Sequence, residues 1–269
     1  MNISVIIPVH KYDEKVADFL DKAIVSLEKQ EGVEKPKLII VCPLEVESKL
    51  NDRPMVTSEN AITPVYVINE GDTDYQSQIN LAVKSVTTEY FSVLEFDDEY
   101  GTTYFRNAKK YVESYPKVDI FLTMMIEVNE KNEGIKLTNE TVWAQQFVGE
   151  NGEMGYLNSK ALQQYTDFKL SGAVIKKSEF ENLGGYKSNI KLAFMYEFLL
   201  RGLNNAAVIY SIPKIGYKHL ATREDSLFDG YMKTMPVDER KFWFETATKE
   251  SNFINDRPID LSRLQKVIQ

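Results

Sequence analysis

The stretch SVLEFDDEY, Ser92 to Tyr100, runs from an apolar segment straight into Glu95, Asp97, Asp98 and Glu99. Carboxylates this close repel one another and sit poorly in a sheet, so the cluster is either a solvated turn or a seat for a cation. Oxygen-rich, sulfur-poor donor sets favour hard divalent ions such as Mg2+ or Mn2+, and Mg2+ is commonly held by one or two carboxylates plus substrate phosphates. In an extended segment Glu95 and Asp97 share a face, with Asp98 at the turn. That spacing could hold a metal which clamps a diphosphate.

The elements around this cluster alternate. Short apolar runs at 3 to 9, 37 to 42, 64 to 68, 90 to 96 and 118 to 126 read as strands buried on both faces. Between the first two, Val16, Leu20, Ala23, Ile24 and Leu27 recur at helical spacing behind Asp13, a suitable N-cap. Further helices are expected over 74 to 86, 102 to 114, 191 to 203 and 236 to 251, the last with Pro236 at its start. This order predicts an α/β fold with a mostly parallel central sheet flanked by helices, and such sheets bind ligands beyond the carboxyl ends of their strands. The acidic cluster falls at such an end. Residues 1–225 read as one domain, with 128–168 an acceptor-side excursion near the site and 226–269 a C-terminal helical extension.

Composition narrows the function classes. A chain of 269 residues that is 43% hydrophobic can bury a full core, and its net charge of −8 gives no broad attraction to nucleic acid, although it does not exclude it. The single cysteine, Cys42, excludes an intramolecular disulfide and a cysteine-based zinc site, and points to a reducing, cytoplasmic setting. No apolar run reaches the roughly 18 residues of a membrane span, so the sequence reads as soluble and unprocessed.

The order of motifs resembles the GT-A glycosyltransferases of family two. SVIIPVHKY, the NEG element at Asn69 to Gly71, Asn80 in the following helix, Leu94-Glu95-Phe96-Asp97-Asp98, SGAVIKKSEFENLGGY, YEFLLRGL and YKHLATREDSL appear in the order of that family's motifs, over residues 3 to 120 and 170 to 227. The resemblance implies a Rossmann-like GT-A fold and transfer of a sugar from a nucleoside diphosphate donor to a hydroxyl acceptor, saccharide by default, with a modified DNA base or a protein as other options. It further implies a Mn2+ or Mg2+ cofactor. By that likeness Asp97 is the leading metal ligand, Glu95 faces the ribose or the metal, and Asp98 is a ligand or an orienter of the sugar. His219 would help hold the metal and Arg223 would neutralise phosphate. Pro8, Val9 and His10 would hold the nucleotide base, and Asn69, Gly71 and Asn80 are further donor contacts. Ser171, Gly172 and Trp143 are candidates for the acceptor side. Each has a bland alternative: a polar loop histidine, a surface arginine, a turn glycine, a helix-packing asparagine or a core tryptophan.

Two positions depart from the family pattern. Where the family carries Asp-Asp-Gly-Ser after the second strand, this chain has Cys42 and Pro43, which leaves the base open. Where it carries an acidic catalytic base, this chain has Met195, in Phe194-Met195-Tyr196-Glu197-Phe198. A positioned base contributes about 10²- to 10⁴-fold to such a transfer. Glu197 is the nearest carboxylate, yet two residues along a helix turn it about 200° away, and it also stands four residues before Arg201, an ion-pair spacing. Three options follow: Glu197 serves because the helix is rotated or unwound, another acid such as Asp225 serves, or the reaction retains configuration and a donor phosphate oxygen takes the proton. The rival readings are a catalytically inactive sugar-nucleotide binder, suggested by Met195, and a nucleotidyltransferase, disfavoured because PVHKYDE lacks the glycine-rich loop of that class.

Overall fold

The computed structural model describes residues 1–32, 34–52, 61–140, 155–158, 162, 167–221 and 223–253. In chain order the strands are β1 Ile3–Pro8, β2 Lys37–Cys42, β3 Val65–Ile68, β4 Tyr90–Val93, β5 Glu99–Tyr100, β6 Ile120–Val128, β7 Gly134–Thr138, β8 Val174–Lys176 and β9 Ile209–Leu220. The helices are α1 Glu14–Glu28, α2 Leu44–Asn51, α3 Tyr75–Lys84, α4 Tyr104–Ser114, α5 Lys177–Asn182, α6 Phe194–Asn204, α7 Leu227–Thr234 and α8 Val237–Phe253.

These strands form one sheet in the order β3-β2-β1-β4-β8-β6-β9-β5, with β7 added on β6. It is parallel from β3 to β4 and again where β6 meets β9, and antiparallel where β8 wedges between β4 and β6. Strand alternation divides the core. Val5, Ile7, Leu38 and Ile40 point to a layer with α1, α2 and α4, whereas Ile6, Ile39 and Val41 point to a layer with α3, α5 and α6. Both faces are covered, so the central strands are continuously apolar. The expected α/β architecture, helices on both faces of a largely parallel sheet, is what the chain adopts. No described helix is long and apolar enough to cross a membrane.

Local chemistry sets the helix starts. Asp13 Oδ1 accepts the Val16 N–H at 2.8 Å and Asp74 Oδ1 accepts that of Ser77 at 2.8 Å, so each aspartate satisfies a donor that the helix leaves open. Four features differ from the sequence expectation. β4 ends at Val93 rather than Phe96, because the Asp98 N–H closes a turn on the Glu95 carbonyl at 3.0 Å. An additional helix, α2, follows Pro43 and buries Val46 and Leu50, one turn apart. The expected excursion from 128 instead begins with a hairpin, β6 to β7. An additional long strand, β9, runs through IYSIPKIGYKHL, and its register against β6 slips between Thr123 and Met124 and again before Met125. The first slip passes over Pro213, which cannot donate to the ladder and is accommodated at a bulge. In the C-terminal segment α8 packs on α6, with the Tyr196 and Phe244 rings stacked at 5.2 Å and Ala247 buried.

Candidate active site

The acidic turn sits at the carboxyl end of β4, flanked by the end of β1 and clipped to β9 by β5, where Glu99 pairs with Lys218 and Tyr100 with Tyr217. On β9, Tyr217 and His219 are two residues apart and face the turn together. The Tyr217 hydroxyl accepts the Glu95 N–H at 3.1 Å, and the His219 Nδ1 donates to Asp98 Oδ2 at 2.9 Å. The Leu220 N–H completes the Asp98 shell at 2.8 Å. Glu95 Oε1 accepts a short hydrogen bond from the Ser171 hydroxyl.

Glu95, Asp98 and His219 each offer one ligand atom within 4.8 Å of the others. Two carboxylates and an imidazole form a donor set that Mn2+ accepts readily, and Mg2+ accepts the oxygen part of it. The Asp98 carboxylate, bonded at Nδ1, fixes the orientation of the imidazole within the cluster. The residues present therefore fit a divalent cation. Asp97, the leading ligand by resemblance, lies outside this triad. It is paired instead with Arg223, Nε to Oδ2 at 2.8 Å, although the Nε–H is not aligned for a hydrogen bond and has no other partner among the described residues.

Crowding of like charge in a buried turn shows in the acidities. Burial, then the charges of Asp98 and Glu95, push the Asp97 carboxyl up to about 7 against the pull of Arg223. Glu95 is raised by burial and by Asp98. Burial alone would lower the His219 pKa, but the charge and hydrogen bond of Asp98 outweigh it, with help from Glu95, and push it up to about 9. Each shift favours an added positive charge, whether a proton or a metal ion.

The end of β1 supplies the other wall. The His10 ring lies 5.9 Å from that of Phe96, and the Arg223 guanidinium lies over the opposite partner of that contact, 4.9 Å from the Phe96 centroid. Burial and the cations Lys11 and Arg223 lower the His10 pKa, which keeps its imidazole neutral and suited to stacking on a base. Val9 is buried and its N–H continues the β1–β2 ladder to Val41 at 2.9 Å, so Pro8 and Val9 offer backbone and shape rather than side-chain chemistry. Asp225 stands at the rim, paired with Lys11, Lys15 and Arg223.

The remaining sequence candidates are placed elsewhere or otherwise engaged. Asn69 folds its amide into its own turn, accepting the Gly71 N–H at 3.0 Å and donating to the Asp72 carbonyl at 2.8 Å. Asn80 clamps the backbone of Tyr186 from both sides, at 2.7 and 2.8 Å. Ser171 is buried with its hydroxyl on Glu95, and Gly172, at φ 69°, passes so close under the Tyr217 ring that a Cβ would overlap it. Trp143 lies outside the described residues. Glu197 is fully buried in an intact helix, both oxygens held by Arg201 at 2.6 and 2.8 Å, with Lys187 at 3.7 Å. The unwound or rotated helix that would free Glu197 as a base is not what the chain forms. Met195 does face the site: its sulfur accepts the Leu170 N–H at 3.4 Å, one residue before Ser171.

Sequence reasoning missed Tyr217. The signal was present, since in a strand reading GYKHL the tyrosine and the histidine fall on one face.

No family model matches the chain, and no curated protein matches it. Solved structures do. S. aureus TarS 1–349 in complex with UDP-GlcNAc aligns with a TM-score of 0.63 at 15% identity, covering 100% of this chain and 70% of that one. The same fragment in complex with UDP aligns at 0.59 and 15% identity, covering 90% and 78%. TarS in longer form aligns at 0.58 and 14% identity, and the present chain spans 48% of its length. A likeness of this size at this identity establishes the architecture: the chain has a GT-A fold.

Proposed function

We propose that the protein is a glycosyltransferase that binds a nucleoside diphosphate sugar between the end of β1 and the acidic turn and transfers the sugar to a hydroxyl acceptor. The observation that carries this reading is the Glu95–Asp98–His219 cluster at the strand ends of a GT-A fold whose solved neighbours hold UDP and UDP-GlcNAc. Glu95, Asp98 and His219 would hold Mn2+ or Mg2+, and a bound ion would neutralise the donor diphosphate and favour its departure. His10, backed by the buried Phe96, offers aromatic surface to the base. Arg223, buried with an unused Nε–H, offers charge to a phosphate oxygen once it leaves Asp97. Asp98 also fixes the His219 ring. The acceptor is a saccharide hydroxyl, approaching past Met195 and Leu170, and the buried, unreactive Cys42, its thiol pushed up to about 12 by burial and Glu47, accords with a cytoplasmic enzyme.

The test is a panel of nucleotide sugars titrated calorimetrically with and without Mn2+. At least one is expected to bind with an affinity that Mn2+ strengthens, and a panel that shows no binding in either condition overturns the reading.

A second reading, a sugar-nucleotide binder without turnover, is favoured by one observation: Met195 occupies the acceptor side where a proton acceptor is wanted, and Glu197 is committed to Arg201. Met195→Asp separates the two. If the missing base limits turnover, the substitution raises donor consumption by about 10²-fold or more; unchanged consumption with donor still bound removes this explanation.

A further inference from the structure

The strand β9 does more than contribute His219. Its residues 217 to 220 touch both acidic residues of the triad: the Tyr217 hydroxyl holds the backbone of Glu95, and His219 with the Leu220 N–H holds the side chain of Asp98. The two register slips against β6, around Pro213 and Gly216, lie immediately before this segment and set which face it presents to the turn. Glu95 is gripped a second way. The Tyr217 ring sits directly on Gly172, which has no side chain to resist it, and the neighbouring Ser171 hydroxyl bonds Glu95 Oε1. A further phenol, Tyr104, fixes the same loop by donating to the Gly172 carbonyl at 2.6 Å, and shares Ser92 Oγ with Tyr100. Tyr217, Ser171, Tyr104, Tyr100 and Ser92 are buried whereas Glu95 is half-buried, so Glu95 is held by groups that are themselves shielded from water.

We infer that Tyr217 is a positioning residue for the candidate metal and donor site: its hydroxyl fixes the Glu95 backbone, and its ring, seated on Gly172, holds Ser171 where it orients the Glu95 carboxylate. The inference rests on the proposed function for what the site binds, but not for the mechanical role. Outer partners of metal ligands are worth about 10- to 100-fold in metal affinity, so Tyr217 belongs with the determinants of cation binding although it offers no atom to the ion.

The experiment compares the full chain with Tyr217→Phe, which keeps the ring and removes the hydroxyl, and with Ser171→Ala. Mn2+ binding is followed by the electron paramagnetic resonance of the free ion, and the amide exchange of Glu95 by hydrogen–deuterium exchange. Tyr217→Phe is expected to weaken Mn2+ binding about tenfold and to speed exchange at Glu95, with a far smaller change in the amides of β1 and β2. Because Tyr217 and Ser171 hold one residue, Glu95, the double variant should lose less than the product of the two single losses. Should Tyr217→Phe bind Mn2+ like the unaltered chain with Glu95 exchange unchanged, or should it lose stability throughout the sheet with Mn2+ affinity preserved, the positioning role is wrong. If the unaltered chain binds no Mn2+ while Tyr217→Phe still releases the Glu95 amide, the metal reading fails and the hold on Glu95 stands.

Discussion

Two regions bury carboxylates, and they resolve the cost in opposite ways. Around α6, Glu197 is matched by the bidentate Arg201 with Lys187 behind it, and the leftover Arg201 donors go to the carbonyls of Leu183 and Gly185. Every group there has a partner supplied by the chain itself. At the end of β4 three carboxylates, Glu95, Asp97 and Asp98, face one arginine and one histidine, and the guanidinium keeps an unused N–H. Burying charge is expensive unless it is paired. A closed cluster whose carboxylate is fully matched is therefore a structural device, whereas an open, surplus-negative one marks where something positive is expected from outside.

The comparison can be broken from either side. The largest effect is predicted at α6: Arg201→Met strips the buried Glu197 of its bidentate partner, leaving only Lys187 at 3.7 Å, and should cost about 3–5 kcal/mol of stability, read by urea unfolding. The paired replacement Glu197→Gln with Arg201→Met should recover most of that. Mn2+ binding by the folded fraction should stay within about twofold for this distant site, and a large loss of metal affinity in folded Arg201→Met would merge the two regions into one functional unit.

Next in size, Glu95→Gln removes a ligand from the open cluster and should weaken Mn2+ binding about a hundredfold or more, with no loss of stability because like-charge repulsion falls. Asp97→Asn should weaken it less, since Asp97 faces Arg223 rather than the triad. Equal losses in the two variants, measured by the same titration, would mean that Asp97 turns into the site when the ion arrives.

A smaller, pH-dependent difference should also separate the regions. The folded chain binds protons more tightly than the unfolded chain at Asp97, between the ordinary 3.8 and about 7, and at His219, between 6.5 and about 9. Stability therefore falls as pH rises through these windows. In chelator-treated protein the melting temperature should drop from about pH 5 to pH 9, and saturating Mn2+ should remove most of the drop. A melting temperature that rises over this range would show that the cluster is not short of positive charge. The smallest effect belongs to the exposed rim: Lys15→Ala loses pairs to Asp225 and Glu130 at 3.7 to 3.8 Å and should change stability by less than about 1 kcal/mol.

Much of the architecture was legible because it is local. Asp13 as a cap, the apolar stripe of α1 and the continuous apolar strands follow from side-chain period and hydrogen-bond geometry within a few residues. The i, i+4 pairing of Glu197 with Arg201 was readable for the same reason. Asn80 was not: its partner, the Tyr186 backbone, is 106 residues away, where the left-handed Gly184 and Gly185 bring the chain back onto α3. The placement of Asp98 rather than Asp97 beside Glu95 and His219 has an equally definite cause. Placing Glu95 and Asp97 on one face assumed an extended chain through Phe96, but β4 stops at Val93 and the turn from Glu95 to Asp98 breaks the alternation.

The amino-acid sequence by itself determined the α/β pattern, the position of the acids at a strand end, and the absence of a carboxylate at 195, since these depend on residue type and short-range period. Only the tertiary structure decided which acids act together. That choice is made by β9, whose Tyr217, His219 and Leu220 reach Glu95 and Asp98 from more than 120 residues away, and such pairing is fixed by sheet register and bulges rather than by any local preference.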